Sequence, residues 1–211
     1  MLLIILRRIL QAIMVLLLVA LVSFIIFRYV GNPVDNILGQ EATLAQRAAL
    51  EEALGLNQPI YVQYFDFLWK AAQFEFGNSY RGALPVSDLI ASRLPATLEL
   101  AITSAIIGVS LGVILGIYTA INRGSFLSNF ILSTSLIGVS LPTFLIGVLL
   151  IWIFSVELNW LPSFGRGEVV DLGWWTTGFL TLSGIKSLIL PSITLGLYQM
   201  TLVMRLTRAE M

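Results

Sequence analysis

Long runs without a charged side chain divide this chain. They occur at Ile9–Phe27, Leu100–Asn122, Gly124–Val156 and Ser187–Met204. Each is long enough to cross a hydrocarbon core of roughly 30 Å as a helix that rises about 1.5 Å per residue. The third run is too long for one crossing, so we place its spanning part at about Ser133–Phe154 and assign Gly124–Leu132 to a cytoplasmic loop and the start of the helix. The pattern predicts an all-α, polytopic transmembrane helix bundle with four spans.

The last of these runs has one polar face. Polar residues recur there at alternating spacings of four and three, which places them along one side of a helix: Ser187, Pro191, Thr194, Tyr198, Thr201, Arg205 and Arg208. An unpaired polar group in hydrocarbon costs several kcal/mol, so this face must meet other helices or water. Two roles stay open for Thr194, Tyr198 and Thr201: bordering a polar path through the membrane, or hydrogen bonding between helices.

Small residues line one side of the second run. Gly108, Gly112 and Gly116 are four residues apart and therefore share a face. Glycines at this spacing let another helix approach closely, which bulky side chains would prevent. We predict that these three glycines form a helix-packing site.

Local signals give further detail. Thr43 and Gln46 have the spacing of a capping box that opens a helix, and Gly55 fits its end. Pro95 suits the first turn of the second membrane helix, because the missing N–H costs no bond there. Pro142 lies in the middle of the third span, where it should kink the helix.

Composition agrees with a membrane protein. Hydrophobic residues make up 57% of the 211 residues and charged residues 11%, against about 25% charged in a soluble domain. The net charge of zero gives no electrostatic reason to expect a nucleic-acid partner. The chain has no cysteine and no histidine, which excludes disulfides, thiolate chemistry and imidazole ligands. We expect no metal and no cofactor.

Two motifs that imitate enzyme or nucleotide sites are rejected. Gly108–Gly112 reads GVSLG, the pattern of a serine nucleophile, but no histidine is available to take the serine proton. Gly178–Ser187 has the wrong spacing for a phosphate-binding loop. No carboxylate lies inside a charge-free run, which disfavours a proton-driven transporter. The chain is therefore not expected to be an enzyme.

Basic residues orient the chain. If the N-terminus is cytoplasmic, five arginines fall inside: Arg7, Arg8, Arg123, Arg205 and Arg208. The outer loop Glu157–Ile185 then holds only Arg166. This distribution favours an N-terminus on the inside.

Four segments carry a family resemblance: RLPATLEL at Arg93–Leu100, SLPTF at Ser140–Phe144, LILPSITL at Leu188–Leu195 and RLTRAEM at Arg205–Met211. Together they resemble the permease subunits of binding-protein-dependent ABC importers, specifically the dipeptide/oligopeptide/nickel family. One departure is Phe74-Glu75-Phe76, where that family usually has Gly-Asp-Leu.

The resemblance implies a type I permease fold, truncated here before the coupling loop, in a bacterial or archaeal plasma membrane. The implied function is the membrane-spanning subunit of an importer for peptides or related small solutes. The implied partners are a second permease subunit, two ATPase subunits, an extracytoplasmic solute-binding protein and the lipid bilayer. The segment expected to begin the ATPase contact comprises Arg205, Thr207, Arg208, Ala209 and Glu210. The expected domains are an N-terminal helix at 1–30, an extracytoplasmic segment at 31–95 and a partial permease domain at 96–211.

Several alternatives stay open. A passive channel or structural membrane subunit without an ATPase partner is the second functional hypothesis. The segment 31–95 is either a cap that supports the bundle or a docking surface for a solute-binding protein. The solute (dipeptide, oligopeptide, nickel complex, glutathione or other) and the homo- or heterodimeric pairing are undecided. Because the family continues beyond RAEM, we expect a fragment, a truncated gene product or one piece of a split permease.

Overall fold

The computed structural model describes residues 2–29, 34, 38–39, 42–79 and 84–211. Part of the predicted extracytoplasmic segment 31–95 lies outside these described residues. The chain divides into two compact units, Met1–Ile90 and Ala91–Met211.

Three helices lie wholly within the first unit and within the described residues. Helix α1 spans Leu2–Tyr29, α2 spans Leu44–Ala53 and α3 spans Ile60–Ala72. Both halves of the predicted capping box are present, since Gln46 N–H donates to Thr43 Oγ1 and Thr43 N–H donates to the Gln46 side chain. Gly55 follows α2 with φ +68°, a conformation that favours glycine. The predicted start and stop of α2 are confirmed.

The turn between α2 and α3 is held by side chains that reach back to its carbonyls. Gln63 Nε2 donates to Leu56 O at 3.0 Å and to Gln58 O at 2.6 Å. Arg28, at the end of α1, donates from Nη2 to the same Leu56 O at 3.2 Å. These bonds fix the start of α3 relative to the outer end of α1.

The second unit is built on two long helices, the first of which begins in the last residues of the first unit. Helix α4 spans Val86–Ile121 and α7 spans Leu182–Glu210, and each carries one proline in its interior, Pro95 and Pro191. Between them lie α5 at Phe126–Ser140, α6 at Thr143–Ile151 and a π-helical segment at Trp152–Glu157. A two-stranded antiparallel hairpin in the outer loop pairs β1, Val170–Asp171, with β2, Thr176–Thr177.

The prediction that Pro95 opens the second membrane helix is wrong. The amphipathic stretch before it is also helical, so α4 begins at Val86 and Pro95 lies buried within it. Its missing N–H leaves one carbonyl of the preceding turn without its usual bond, an arrangement that membrane helices tolerate. Proline at a first turn and proline inside a membrane helix look alike in the sequence.

The third predicted span is broken rather than kinked. Helix α5 ends at Ser140, and Pro142, with φ −56° and ψ 134°, precedes α6 as an extended residue. Three described helices are long and apolar enough to cross a membrane, Leu3–Ile26, Val86–Ile121 and Leu182–Glu210, whereas Phe126–Leu136 and Thr143–Glu157 are shorter apolar helices. The all-α architecture is confirmed, and the third predicted span consists of shorter helices on either side of Pro142 instead of one long helix.

Large apolar side chains lie mainly on the outside. The exposed set includes Ile102, Ile106 and Ile114 on α4, and the buried positions of α4 include Ser104, Gly108, Gly112, Gly116 and Thr119. This inversion fits a lipid environment, where small residues bring helices together and apolar side chains face the hydrocarbon.

Candidate functional site

The candidate site lies on α7, whose sides have different neighbours. Its first turn is capped by Thr181, whose Oγ1 accepts from Gly184 N–H at 3.0 Å. One side of the helix packs against α4 and another contacts α5 and α6. A third side, which includes Leu195, Tyr198, Leu202 and Leu206, is exposed.

The three glycines of α4 form the contact with α7. A Cβ placed on Gly112 would lie 2.7 Å from Val203 Cβ and 2.9 Å from Met200 O. Gly108 has an equally close neighbour in Gln199, and Gly116 has one in Thr207. At this separation even a methyl group requires the helices to move apart.

Helix α7 contributes a glycine of its own. A Cβ on Gly196 would lie 3.1 Å from Ile107 Cγ2 and 3.2 Å from Ser104 O of α4. Both helices therefore contribute glycine to the contact, which lets their backbones approach each other closely. This contact holds α7 in one rotational setting and so determines where its polar face points.

The polar residues of α7 lie between its α5/α6 side and its exposed side. Thr201 is fully buried, and its single hydroxyl proton is shared between Leu197 O at 3.1 Å and Ser135 O of α5 at 3.3 Å. Thr194 is half-buried and donates to Leu190 O at 2.8 Å. Tyr198 is 42% exposed. Thr201 thus joins two helices, whereas Tyr198 lies open at the edge of the unit.

Two cavities flank this polar face. One of about 450 Å³ has an apolar lining that includes Phe130, Leu149 and Met200, with Thr201 at its wall. The other, of about 500 Å³, is lined by residues that include Gly147 and Thr194. Thr194 and Thr201 therefore border different spaces along the same helix.

The C-terminal end of α7 is basic. The helix continues through Thr207 to Glu210, with Ala209 and Glu210 exposed. Thr207 packs against Gly116, while Arg205 and Arg208, together with Arg123, line a pocket of about 430 Å³. These arginines also complement the negative end of the helix dipole.

A buried ion pair near the predicted outer end of α4 was missed by the sequence analysis. The side chain of Glu99 is 3% exposed, and its Oε2 accepts from Arg166 Nη2 at 3.1 Å. The same carboxylate accepts from Gly178 N–H, at 3.2 Å to Oε1. Arg166 also donates to Thr176 O at 2.6 Å and to Thr176 Oγ1 at 2.9 Å. This cluster connects α4 to the hairpin and to the loop before α7.

The sequence shows both charged residues of this pair but does not show that they meet. Glu99 is an acidic residue directly before an apolar run, and Arg166 is the only arginine of the loop Glu157–Ile185. Glu99 was considered only as part of the segment RLPATLEL and Arg166 only for the orientation of the chain, because nothing in the order of residues brings them together.

Within the described part of the chain, no three His, Cys, Asp or Glu side chains form a group that could hold a metal ion. Ser110, the serine of the rejected hydrolase pattern, is exposed on α4 away from the buried glycines. The polar groups of the site are hydroxyls and a few charges, which suit hydrogen bonding to a polar molecule.

Comparisons with known proteins cover nearly the whole chain. The family described as "Binding-prot-dependent transport system membrane comp, N-term" matches residues 1–101. The family described as "Binding-protein-dependent transport system inner membrane component" matches residues 112–211.

Similar curated proteins carry consistent names. A putative peptide transport system permease protein of Brucella abortus is 37% identical over 210 residues, which are 98% of this chain and 64% of that protein. A dipeptide transport system permease protein of Alkalihalophilus pseudofirmus is 38% identical over 218 residues, 97% of this chain and 66% of that protein. A glutathione transport system permease protein of Salmonella typhimurium is 36% identical over 207 residues, 98% of this chain and 62% of that protein. The chain thus spans just under two thirds of the length of these relatives.

Proposed function

Because this chain belongs to the family of binding-protein-dependent transport system inner membrane components, we propose that it is a membrane-spanning subunit of an ATP-driven importer. Its family and its apolar helices make it a multi-pass protein of the bacterial inner membrane. The proposed substrates are short peptides, by analogy with the peptide, dipeptide and glutathione transport systems named for its relatives. The proposed role is transport without enzymatic activity of its own.

The observation that carries this proposal is the rotational orientation of α7 about its own axis. The α4 glycines hold the helix so that Tyr198 lies at the exposed edge and Thr194 beside a cavity. A peptide has backbone donors and acceptors along its length, so its route needs polar groups that bind weakly. We assign that contact to Thr194 and Tyr198, and we assign Thr201 to the bond between α7 and α5 that supports them.

The proposed partners follow from the same function. Since no nucleotide site is expected in the chain, the energy must come from two separate ATPase subunits. The basic end of α7, at Arg205, Thr207, Arg208, Ala209 and Glu210, is the proposed beginning of their contact. A second permease subunit would close the path along the exposed side of α7, and a solute-binding protein would deliver the peptide.

Reconstitution tests the proposal. The chain is placed in vesicles alone, and then together with its second permease subunit, ATPases and binding protein, and uptake of a radiolabelled dipeptide is measured. ATP-dependent accumulation is expected only in the complete assembly, and the chain alone should hydrolyse no ATP. Dipeptide flux through the chain without ATP would instead identify a passive channel, and ATP hydrolysis by the chain alone would contradict the proposed division of labour.

A further inference from the structure

Helix α3 carries a row of aromatic side chains that the described chain leaves uncovered. Tyr61, Phe65 and Trp69 are four residues apart and lie on one face of the helix. They are 63%, 65% and 70% exposed, respectively. Three large rings in a row on a helix of 13 residues are unusual for a surface that meets only water.

The opposite side of α3 is polar and already satisfied. Lys70 Nζ lies 2.7 Å from Asp66 Oδ2 in a pair one helical turn apart. Gln63 is engaged with the turn carbonyls before α3. The helix is therefore amphipathic, and the charges of its polar face balance each other.

The contact of α3 with α1 shows how deep the helix lies. Tyr64 Oη donates to Leu17 O of α1 at 2.9 Å. Leu17 lies inside the apolar span Leu3–Ile26, roughly 13 Å from its outer end at about 1.5 Å per residue. Phe24 of α1 contacts the rings of both Tyr64 and Phe67, at centroid distances of 5.6 and 5.9 Å. Since α1 crosses the membrane, Tyr64 reaches below the level of the lipid head groups.

From this geometry we propose that α3 is an interfacial helix, embedded at the outer surface of the bilayer with Tyr61, Phe65 and Trp69 in the boundary between head groups and acyl chains. Tryptophan and tyrosine are enriched at that boundary because each ring has an apolar body and a polar atom. An amphipathic helix binds there with its apolar face down and its charged face toward water. The neutral polar face means that the helix recognises phospholipid through its apolar face and needs no anionic head group.

This inference rests only on the membrane crossing of α1 and is independent of what the protein transports. A soluble protein is disfavoured as the partner of the aromatic row. It would have to enter the lipid, because α3 contacts α1 at the level of Phe24. A second copy of the chain, or another subunit, would instead bury the rings in a protein contact. A lipid contact and a protein contact therefore differ in what a probe on the aromatic row would encounter.

Spin labels on single cysteines make this test direct, because the native chain contains no cysteine. Phe65→Cys and Trp69→Cys report on the aromatic row, Lys70→Cys on the polar face, and Ile114→Cys on an exposed apolar position of α4 as the lipid reference. Each full-length variant is reconstituted in phosphatidylcholine vesicles. Its collision rates with oxygen, which concentrates in lipid, and with a water-soluble nickel complex are measured.

Labels at 65 and 69 should have an oxygen-to-nickel ratio below that at 114, which lies inside a membrane span, and several-fold above that at 70. The ratio should not change when phosphatidylglycerol is added to the vesicles. Free access of nickel to both 65 and 69 would place the row in water and overturn the proposal. Strong immobilisation of both labels, with neither reagent reaching them, would reveal a protein partner and overturn it equally. A ratio that rises only with phosphatidylglycerol would overturn recognition of a neutral surface.

Discussion

Glu99 and Arg166 link α4 to the outer loop through one carboxylate and one guanidinium. Both groups are largely removed from water, with side-chain exposures of 3% and 25%. Transfer of charges out of water is costly, and the pair offsets that cost only while its geometry and its bonds to Gly178 and Thr176 remain complete. Removal of one partner should therefore lower the free energy of unfolding more than disruption of an exposed pair does.

Glu99→Gln should lower the free energy of unfolding by about 2 kcal/mol, because Arg166 would keep its charge without a counterion. The control is Asp66→Asn, which breaks the exposed Asp66–Lys70 pair and should cost less than about 0.5 kcal/mol. Unfolding of both variants in detergent mixed with increasing SDS gives the comparison. Equal midpoints for the two variants would contradict a stabilising role for the Glu99–Arg166 pair.

Tyr198 and Thr201 should differ in their access to water. In the assembled transporter, a water-soluble thiol reagent should modify Tyr198→Cys several-fold faster than Thr201→Cys, since Tyr198 is 42% exposed and Thr201 is fully buried. Leu195→Cys, also on the exposed side of α7, indicates whether reaction requires the polar face. Faster reaction at 201 than at 198 would show that α7 is rotated in the assembly, and no reaction at 198 would remove Tyr198 from the proposed path.

The α4–α7 contact determines how the helices of the second unit are arranged. The glycines of α4 lie directly against the backbone and Cβ atoms of α7 along three successive helical turns. Between glycine and the facing carbonyls, dispersion and weak C–H···O contacts replace the hydrophobic effect, which is absent within lipid. Such a contact is sensitive to a single added carbon.

Gly112→Ala should destabilise this contact by about 1–3 kcal/mol, because the new Cβ would lie 2.7 Å from Val203 Cβ and 2.9 Å from Met200 O. Ile114→Leu, two residues away on the exposed side, keeps the apolar surface and serves as the control. The yield of monodisperse protein and the SDS unfolding midpoint are the measurements. A Gly112→Ala variant as stable as Ile114→Leu would mean that the two helices do not approach this closely.

At the level of the whole chain, the basic residues and the helix lengths define a topology. Arg123 follows α4 on the predicted cytoplasmic side, and the loop that contains Arg166 lies on the predicted outer side. The short helices α5 and α6 connect these two sides, with the break at Pro142 between them.

Single cysteines test this topology. Ser163→Cys, in the outer loop, should react with a membrane-impermeant thiol reagent in intact spheroplasts. Asn122→Cys, at the end of α4, should react only after the membrane is made permeable. The unmodified chain, which lacks cysteine, is the blank. Reaction of Asn122→Cys in intact spheroplasts would reverse the orientation.

Much of the fold was determined by the sequence itself. The apolar runs predicted the long helices because a segment in lipid must satisfy its backbone bonds internally. The capping box at Thr43 and the stop at Gly55 were predictable because their bonds join residues only a few positions apart. The polar face of α7 was predictable for the same reason, since helical periodicity alone places its residues on one side of the helix.

The tertiary structure decided the features that depend on residues far apart in the chain. The pairing of Glu99 with Arg166 and the bond from Thr201 to Ser135 each need a loop or a turn to bring two elements together. The depth of Tyr64 beside Leu17 likewise depends on how α3 folds back on α1. The sequence determined which segments are apolar and which faces are polar, because these are local properties. Only packing decided which neighbour each face meets, because the energy of a close contact depends on the shape of both surfaces.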